Sequence, residues 1–361
     1  MRLRRLALPV LFGALFLSAA PPQKKKKEDP TQTLQLPKEL PSAVVGETRR
    51  LTFLVTPLSA KGLLTPQIRE ALKALTHQAG GDTILKIRAF VAGSGDVRRV
   101  RDLVSDYFSD HRQPLPAISL IRSGGLPMEG AQVVLEAIAQ ARKDINPSGL
   151  AFISAQPVTR GDPVDPPPAR EALAAFAKSV TAAGADPDSV VRVTCFLSSL
   201  EGLASTREAV LSAYPHAAAD FVQTQRAPGA ALAACEGVAR LSTEPARLTF
   251  TAASQPGESA AALVGARQVV LTGTQVSFGY QEQDARLAFE RLRKEVEQAG
   301  ANFGDIAYVH YYPLSNAIAA QLRKLRPDFF KSTPPPAATL LLFEGLPSMD
   351  AGFAIDAIAV K

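Results

Sequence analysis

The sequence contains no tryptophan, two cysteines, three methionines and four histidines, and aromatic residues make up 6% of its 361 positions. With so few aromatics it lacks the stacking platforms that single-stranded nucleic acid uses. Its cysteines and histidines never fall at metal-ligand spacing, so no metal site can be read. A nucleophile elbow and a dinucleotide fingerprint are both missing, and nothing in the sequence implies a cofactor. The glycine pair in "RSGGLP" (Arg122–Pro127) lies between two strand patterns, which makes it a turn and not a phosphate loop. Beyond the first twenty residues no apolar run is long enough to span a bilayer.

The formal charge is +6. The imbalance sits at the start of the chain. Arg2, Arg4, Arg5 and Lys24 to Lys27 account for seven of the 40 basic residues, leaving 33 against 34 acidic ones. The remainder is near neutral and carries no basic footprint for nucleic acid. "MRLRRLALPVLFGALFLSAA" has a basic start, an apolar run and a small-residue end, the layout of a secretory signal. The expectation is a signal peptide over 1–20, a solvated linker over 21–39, and an exported protein, periplasmic or secreted. Export permits a disulfide. Cys195 and Cys235 nevertheless lie in apolar strand-like segments, and two buried free thiols are expected.

What the chain does have is repetition. An Ala-Gly helix stop occurs at Ala79-Gly80, Ala183-Gly184 and Ala299-Gly300. Each follows a helical pattern and precedes a strand: "ILKIRAFV", "VVRVTCFL" and "IAYVHYYP". A second helix ending in an aromatic comes next, then two apolar strands, the last reading "VVLEAIA", "AACEGVA" and "AIDAIAVK". Upstream of each first helix stands another strand, "RLTFLVT", "GLAFISA" and "QVVLTGT". The order is β, α, β, α, β, β in each copy, a two-layer α+β unit. The expected domains are 40–142, 143–243 and 244–361.

These segments resemble the RidA (YjgF/YER057c) family of reactive-intermediate deaminases. "VVLTGTQ", "AGANFGDIAYV", "PPPAATLLLFEGLP" and "FAIDAIAVK" carry the likeness in the third copy, "AGADPDSVVRVTCFLSSL" in the second, and "PAISLIRSGGLP" with "EAIA" in the first. The resemblance implies a chorismate-mutase-like fold that usually closes as a homotrimer, with ligand clefts between subunits. Here one chain supplies three units, so a monomeric pseudo-trimer is expected.

The resemblance also implies an Arg that binds the substrate carboxylate and a Glu that positions water for imine hydrolysis. The Arg places hold Ile118, Ala338 and, counting back from Ala227-Pro228, Ala219. The Glu places hold Val134, Ala234 and Ala354. The cleft tyrosine also has no match, Ser259 being nearest in the third copy. Acids remain two residues further on, at Glu136, Glu236 and Asp356, on one sheet face. Arg101, Arg207 and Arg323 recur seven residues before the helix-ending aromatics Phe108, Tyr214 and Phe330. Helical spacing puts them on the apolar stripe, where an Arg needs a partner. Either they bind an anionic ligand in place of the lost Arg, or their stems pack while the heads reach water or pair with those acids. Ser154 and Thr272 match cleft-lining spots as hydrogen-bond donors, and His310 is expected as a packed or edge residue.

Three functions follow as expectations. The first is a diverged binder of a small anionic metabolite. The second is an imine/enamine deaminase using relocated residues such as Arg207 or Arg323. The third is an interaction protein with vestigial clefts.

Overall fold

The computed structural model describes residues 36–361 except 94, 162–167, 227–229, 256 and 332–333. The signal peptide, nearly all of the linker and the Ala227-Pro228 landmark therefore lie outside the described residues. Each Ala-Gly stop ends a helix as its sequence requires. Gly80, Gly184 and Gly300 have φ of 58°, 71° and 84°, a left-handed conformation that a side chain would oppose.

The first copy runs β1 (Ala43–Glu47), β2 (Leu51–Val55), α1 (Leu64–Ala79), β3 (Thr83–Val91), α2 (Arg98–Asp110), β4 (Ala117–Arg122) and β5 (Val133–Gln140). The second runs β6 (Leu150–Ile153), β7 (Val158–Gly161), α3 (Pro168–Ala182), β8 (Val190–Leu197), α4 (Leu203–Ala213), β9 (Ala218–Gln223) and β10 (Ala230–Arg240). The third runs β11 (Leu248–Ala252), β12 (Ser259–Val264), β13 (Gln268–Thr272), β14 (Gln275–Phe278), α5 (Glu282–Gln298), β15 (Ile306–Pro313), α6 (Asn316–Phe329), β16 (Ala337–Leu340) and β17 (Ala351–Val360). The fold is α+β, and the predicted β, α, β, α, β, β order is present in every copy with added strands: β1 before β2, β7 after β6, and β11, β12 and β14 around β13.

Three sheets result, ordered β2-β5-β3-β4, β11-β12-β6-β10-β8-β9 with β7 on β10, and β1-β13-β17-β15-β16 with β14 on β17. Helices cover one face of each sheet, in three separate apolar clusters. The other faces meet one another. Leu51, Leu150 and Val269 stand at the same place in their copies and join one cluster, with Phe53, Phe152 and Leu271 beside them. Phe90, Phe196 and Tyr312 do the same at the other end. Equivalent residues of all three copies therefore meet around a common axis, a pseudo-trimer within one chain.

The repeat pattern did not foresee an exchange of first strands. β1 leads into β2 of the first copy but pairs with β13 of the third, Val45 opposite Val270. β12 leads into β13 but pairs with β6 of the second, Ala262 opposite Phe152. The connections Thr48–Arg50 and Gly265–Arg267 carry each strand across to its neighbour's sheet instead of folding it back as a hairpin.

The cysteines are a correction to the expected free thiols. Cys195 on β8 and Cys235 on β10 are directly opposed and form a disulfide, with Cα atoms 4.1 Å apart. The pairing depends on strand register, which neither apolar segment reveals alone.

Candidate functional site

Between the two apolar layers on the axis lies a polar one. It arises because corresponding residues on three strands turn inward at one level. Arg88 stands between Glu136 and Ser119, Thr194 between Glu236 and Asp220, and His310 between Asp356 and Thr339. Lys86, Arg192 and Tyr308 occupy the level two residues earlier.

The partners cross between copies. Arg88 Nε donates to Glu136 at 2.5 Å and its Nη2 to Glu236 at 2.7 Å. Arg192 Nη2 reaches Glu236 at 2.9 Å. Asp356 is held by Lys86 Nζ at 2.9 Å, His310 Nδ1 at 2.9 Å, Ser119 Oγ at 2.6 Å and the Tyr312 hydroxyl at 3.0 Å. His310 Nε2 lies 3.2 Å from Glu236. The acids Glu136, Glu236 and Asp356 thus fasten the copies together, and His310 is packed as expected. None of them pairs with Arg101, Arg207 or Arg323 among the described residues. Lys86, Arg88 and Arg192, the cations that do pair, were missed in the sequence. Their signal was a basic residue inside an apolar strand.

Charge decides how this layer titrates. Burial opposes ionisation of Glu136, but Arg88 and Arg192 outweigh it and hold the carboxyl at about 2. Arg88, then His310, likewise keeps Glu236 well below the usual range against the cost of burial. Asp220 goes the other way: burial and the neighbouring Glu136 carboxylate push it well above its ordinary value. Neither of its oxygens has a hydrogen-bond partner among the described residues.

A carboxyl raised in the folded state binds more protons there than in the unfolded chain, so its cost grows as pH climbs above 3.8. Asp220→Asn supplies the neutral shape permanently. The variant is expected to unfold at higher urea than the parent at pH 8, with the gain shrinking towards pH 4. Equal midpoints at both pH values would remove the protonated Asp220 from this description.

The polar layer is too enclosed to admit a ligand. Its cavity, lined by Lys86, Arg88, Arg192, Tyr308 and His310 among others, has about 20 Å³, room for roughly one water. Open space lies between copies. The first–second cleft has a volume of about 590 Å³ and is lined by Val55 at the end of β2, Thr56–Leu58 beyond it, Val134, Arg207 and Ala218–Phe221 of β9, among others. The second–third cleft has about 100 Å³ and is lined by Ser259, Arg323, Arg326, Ala338 and others. At the third–first junction the two copies approach closely around Gly273. There a Cβ on Gly273 would sit 2.7 Å from the Ile118 carbonyl oxygen, and Thr274 N–H donates to that oxygen at 3.1 Å.

Each residue singled out in the sequence now has a place. Ala219 and Val134 share the larger cleft, Ala338 lies in the smaller one, and Ile118 is sealed under Gly273. Ala234 and Ala354 are buried in the apolar axis cluster. Ser154 Oγ donates to the Ser259 carbonyl at 2.7 Å and accepts from Ala338 N–H, so it closes the smaller cleft instead of waiting for a ligand. Thr272 is spent on Ala357, accepting from its N–H at 2.9 Å.

The arginines are the second correction. Arg101, Arg207 and Arg323 are exposed and do not lie on the buried stripe. The stripe of α4 is thinner than its spacing suggested, with Val210 its one buried residue. Long stems let the heads reach water. Arg207 and Arg323, equivalent in their copies, nonetheless reach the two clefts, and Arg326 joins Arg323. None of these three has an ion-pair partner among the described residues.

Neither a family model nor a curated protein matches this chain. The solved structures it is similar to include members of the YjgF/YER057c/UK114 and Rid families. A member from Mycobacterium tuberculosis is 19% identical, with 32% of this chain and 99% of that one covered and a TM-score of 0.24. A protein of unknown function of the conserved Rid family from Yersinia pestis is 19% identical over 30% of this chain and 91% of its own, TM-score 0.25. The YjgF gene product from E. coli is 22% identical over 26% and 80%, TM-score 0.23.

Proposed function

We propose that this chain binds small carboxylates in the cleft between its second and third copies and does not hydrolyse imines. One observation carries the reading. Where the resemblance expects a strand-borne Arg, the cleft has Ala338, and two arginines of α6 without an ion-pair partner among the described residues, Arg323 and Arg326, line it. A carboxylate suits paired guanidinium groups, whose planar forks donate two parallel hydrogen bonds. The lining holds Glu258 but no histidine or tyrosine to move a proton for hydrolysis. The signal-like N-terminus supports a role outside the cytoplasm, and the absence of a basic surface in the sequence argues for a small ligand and not nucleic acid.

Titration calorimetry with three- to five-carbon mono- and dicarboxylates tests the reading. Saturable binding that weakens with salt is expected. Arg323→Ala should cost about tenfold in affinity or more, the worth of one charge-assisted hydrogen bond of ~1.5–3 kcal/mol. Absent binding, or affinity untouched by Arg323→Ala and Arg326→Ala together, would contradict it. Catalytic ammonia release from freshly generated 2-imino acids would favour the deaminase instead.

A further inference from the structure

The exchange of first strands is cyclic, and among the described residues one step of the cycle is unfilled. Each copy's sheet has a slot beside its inner strand, β13, β6 or β2. In the third copy's sheet β1 fills the slot, and in the second's β12 does. The strand that would fill the slot beside β2 should come from the second copy, just before β6. That copy has none: β5 ends at Gln140 and β6 begins at Leu150, with no strand between them.

Hydrogen bonding shows the vacancy residue by residue. Gly273, Ser154 and Val55 are equivalent in the three copies. Gly273 N–H donates to the Ser42 carbonyl at 2.7 Å and Ser154 N–H to the Ala260 carbonyl at 2.8 Å. On β2 the pairs bonded to β5 include Arg50 with Ala141 and Thr56 with Leu135. Antiparallel alternation therefore turns the N–H and C=O groups of Phe53 and Val55 outward, and they find no backbone partner among the described residues. The cleft follows the same rule. It is about 100 Å³ where β12 fills the slot and about 590 Å³ where the slot is empty.

We infer that the cleft between the first and second copies binds an extended segment of another polypeptide, which adds to the β2 edge as the missing strand. The chain's own strands show the chemistry that fits. "AVVGE" and "SAAALV" are built of small residues, as suits a slot closed in on both faces. The walls here are mostly apolar, with Val55, Leu58, Val134, Ala219 and Leu211; Arg207 supplies one positive charge, and the Asp220 carboxyl also lines the cleft. The preferred segment is about four residues long at ~3.3 Å per residue, enough to pair with Phe53 and Val55, because the Asn146 side chain already donates to the outward C=O of Leu51 at 2.9 Å. It is small and apolar at alternate positions, with an acidic group for Arg207. Backbone pairing to a sheet edge gives such complexes their affinity and the pockets their selectivity. A second whole copy fits less well, because the edge faces β9 across a cleft that admits a single strand more readily than another sheet.

The chain's own strand sequences are the probes. Fluorescein-labelled peptides of Gly257–Val264 and Ser42–Glu47 are titrated against the full chain by anisotropy. Saturable binding of at least one is expected, weakened at least about tenfold by Val55→Pro, which removes one outward donor. Methylating the peptide N–H groups that face β2 should abolish binding to the unaltered chain, a readout independent of the variant's folding.

Failure of both peptides to bind, or indifference to both changes, overturns the inference. Binding seen only after removal of the residues before Pro37 assigns the slot to the chain's own leading segment. Concentration-dependent dimerisation lost in Val55→Pro assigns it to a second copy. Either result displaces the partner peptide. Carboxylate binding at Arg323 is scored separately, so one site can fail without the other.

Discussion

Glu236→Ala is expected to destabilise the folded chain by about 3–5 kcal/mol, the usual cost of breaking a buried ion pair from one side. The fully buried Glu236 carboxylate accepts from Arg88 at 2.7 Å and Arg192 at 2.9 Å, with His310 at 3.2 Å and the Tyr308 hydroxyl at 3.3 Å. Those residues come from all three copies. Removing the acid leaves Arg192 with Glu136 alone at 3.7 Å, in a layer whose three cations then face fewer acids than they need. Replacing the whole network by apolar residues of similar volume would be far milder, because no charge would remain buried unpaired.

The pH dependence follows from the sign of the shift. A carboxyl held below 4.5 in the folded state adds stability above that value and loses it as pH falls through the folded one. The gap between parent and variant in urea melts should thus be widest near neutrality and narrow in acid. A loss under about 1 kcal/mol at pH 7 would mean that the layer is not the fastening described here.

Loss of the Cys195–Cys235 disulfide is the second large effect. The bond joins two central strands of the second copy across a separation of 40 residues. Loop-closure entropy for that length gives about 4 kcal/mol, and measured effects usually fall at 2–4 kcal/mol. Replacing both cysteines with alanine, or adding reductant during thermal melts, should lower the midpoint by several degrees. The thiols should react with a labelling reagent only after reduction, even in the denatured chain. Free thiols without reductant, with an unchanged midpoint, would restore the buried-thiol reading of the sequence.

Why the thiols were misread shows where sequence legibility ended. The three Ala-Gly stops, the two helices of each copy and the strands after them could all be read, because capping glycines and period-2 apolar runs are local signals. The partners of those strands could not. "AVVGE" is as good a strand in its own sheet as in its neighbour's, and only packing around the axis sends it across. The polar layer was half visible. Glu136, Glu236 and Asp356 were noticed as a recurring acid, but their partners sit on a different strand and the three copies carry different residues there: Arg88, Thr194 and His310. Because those side chains differ, the layer cannot be found by repeat conservation, only by asking why a basic residue interrupts an apolar strand. The arginines of α2, α4 and α6 were put on the apolar stripe by helical angle, and of the alternatives left open there it is the head in water that the structure has.

Both clefts and the polar layer depend on one chain closing the axis by itself. Sedimentation velocity of the purified full-length chain tests that directly. A single species at the mass of one chain, 38.3 kDa or slightly less if the leading segment is removed, is the predicted result. A species of about three times that mass would show that separate chains supply the three inner faces, contradicting a pseudo-trimer built from one sequence.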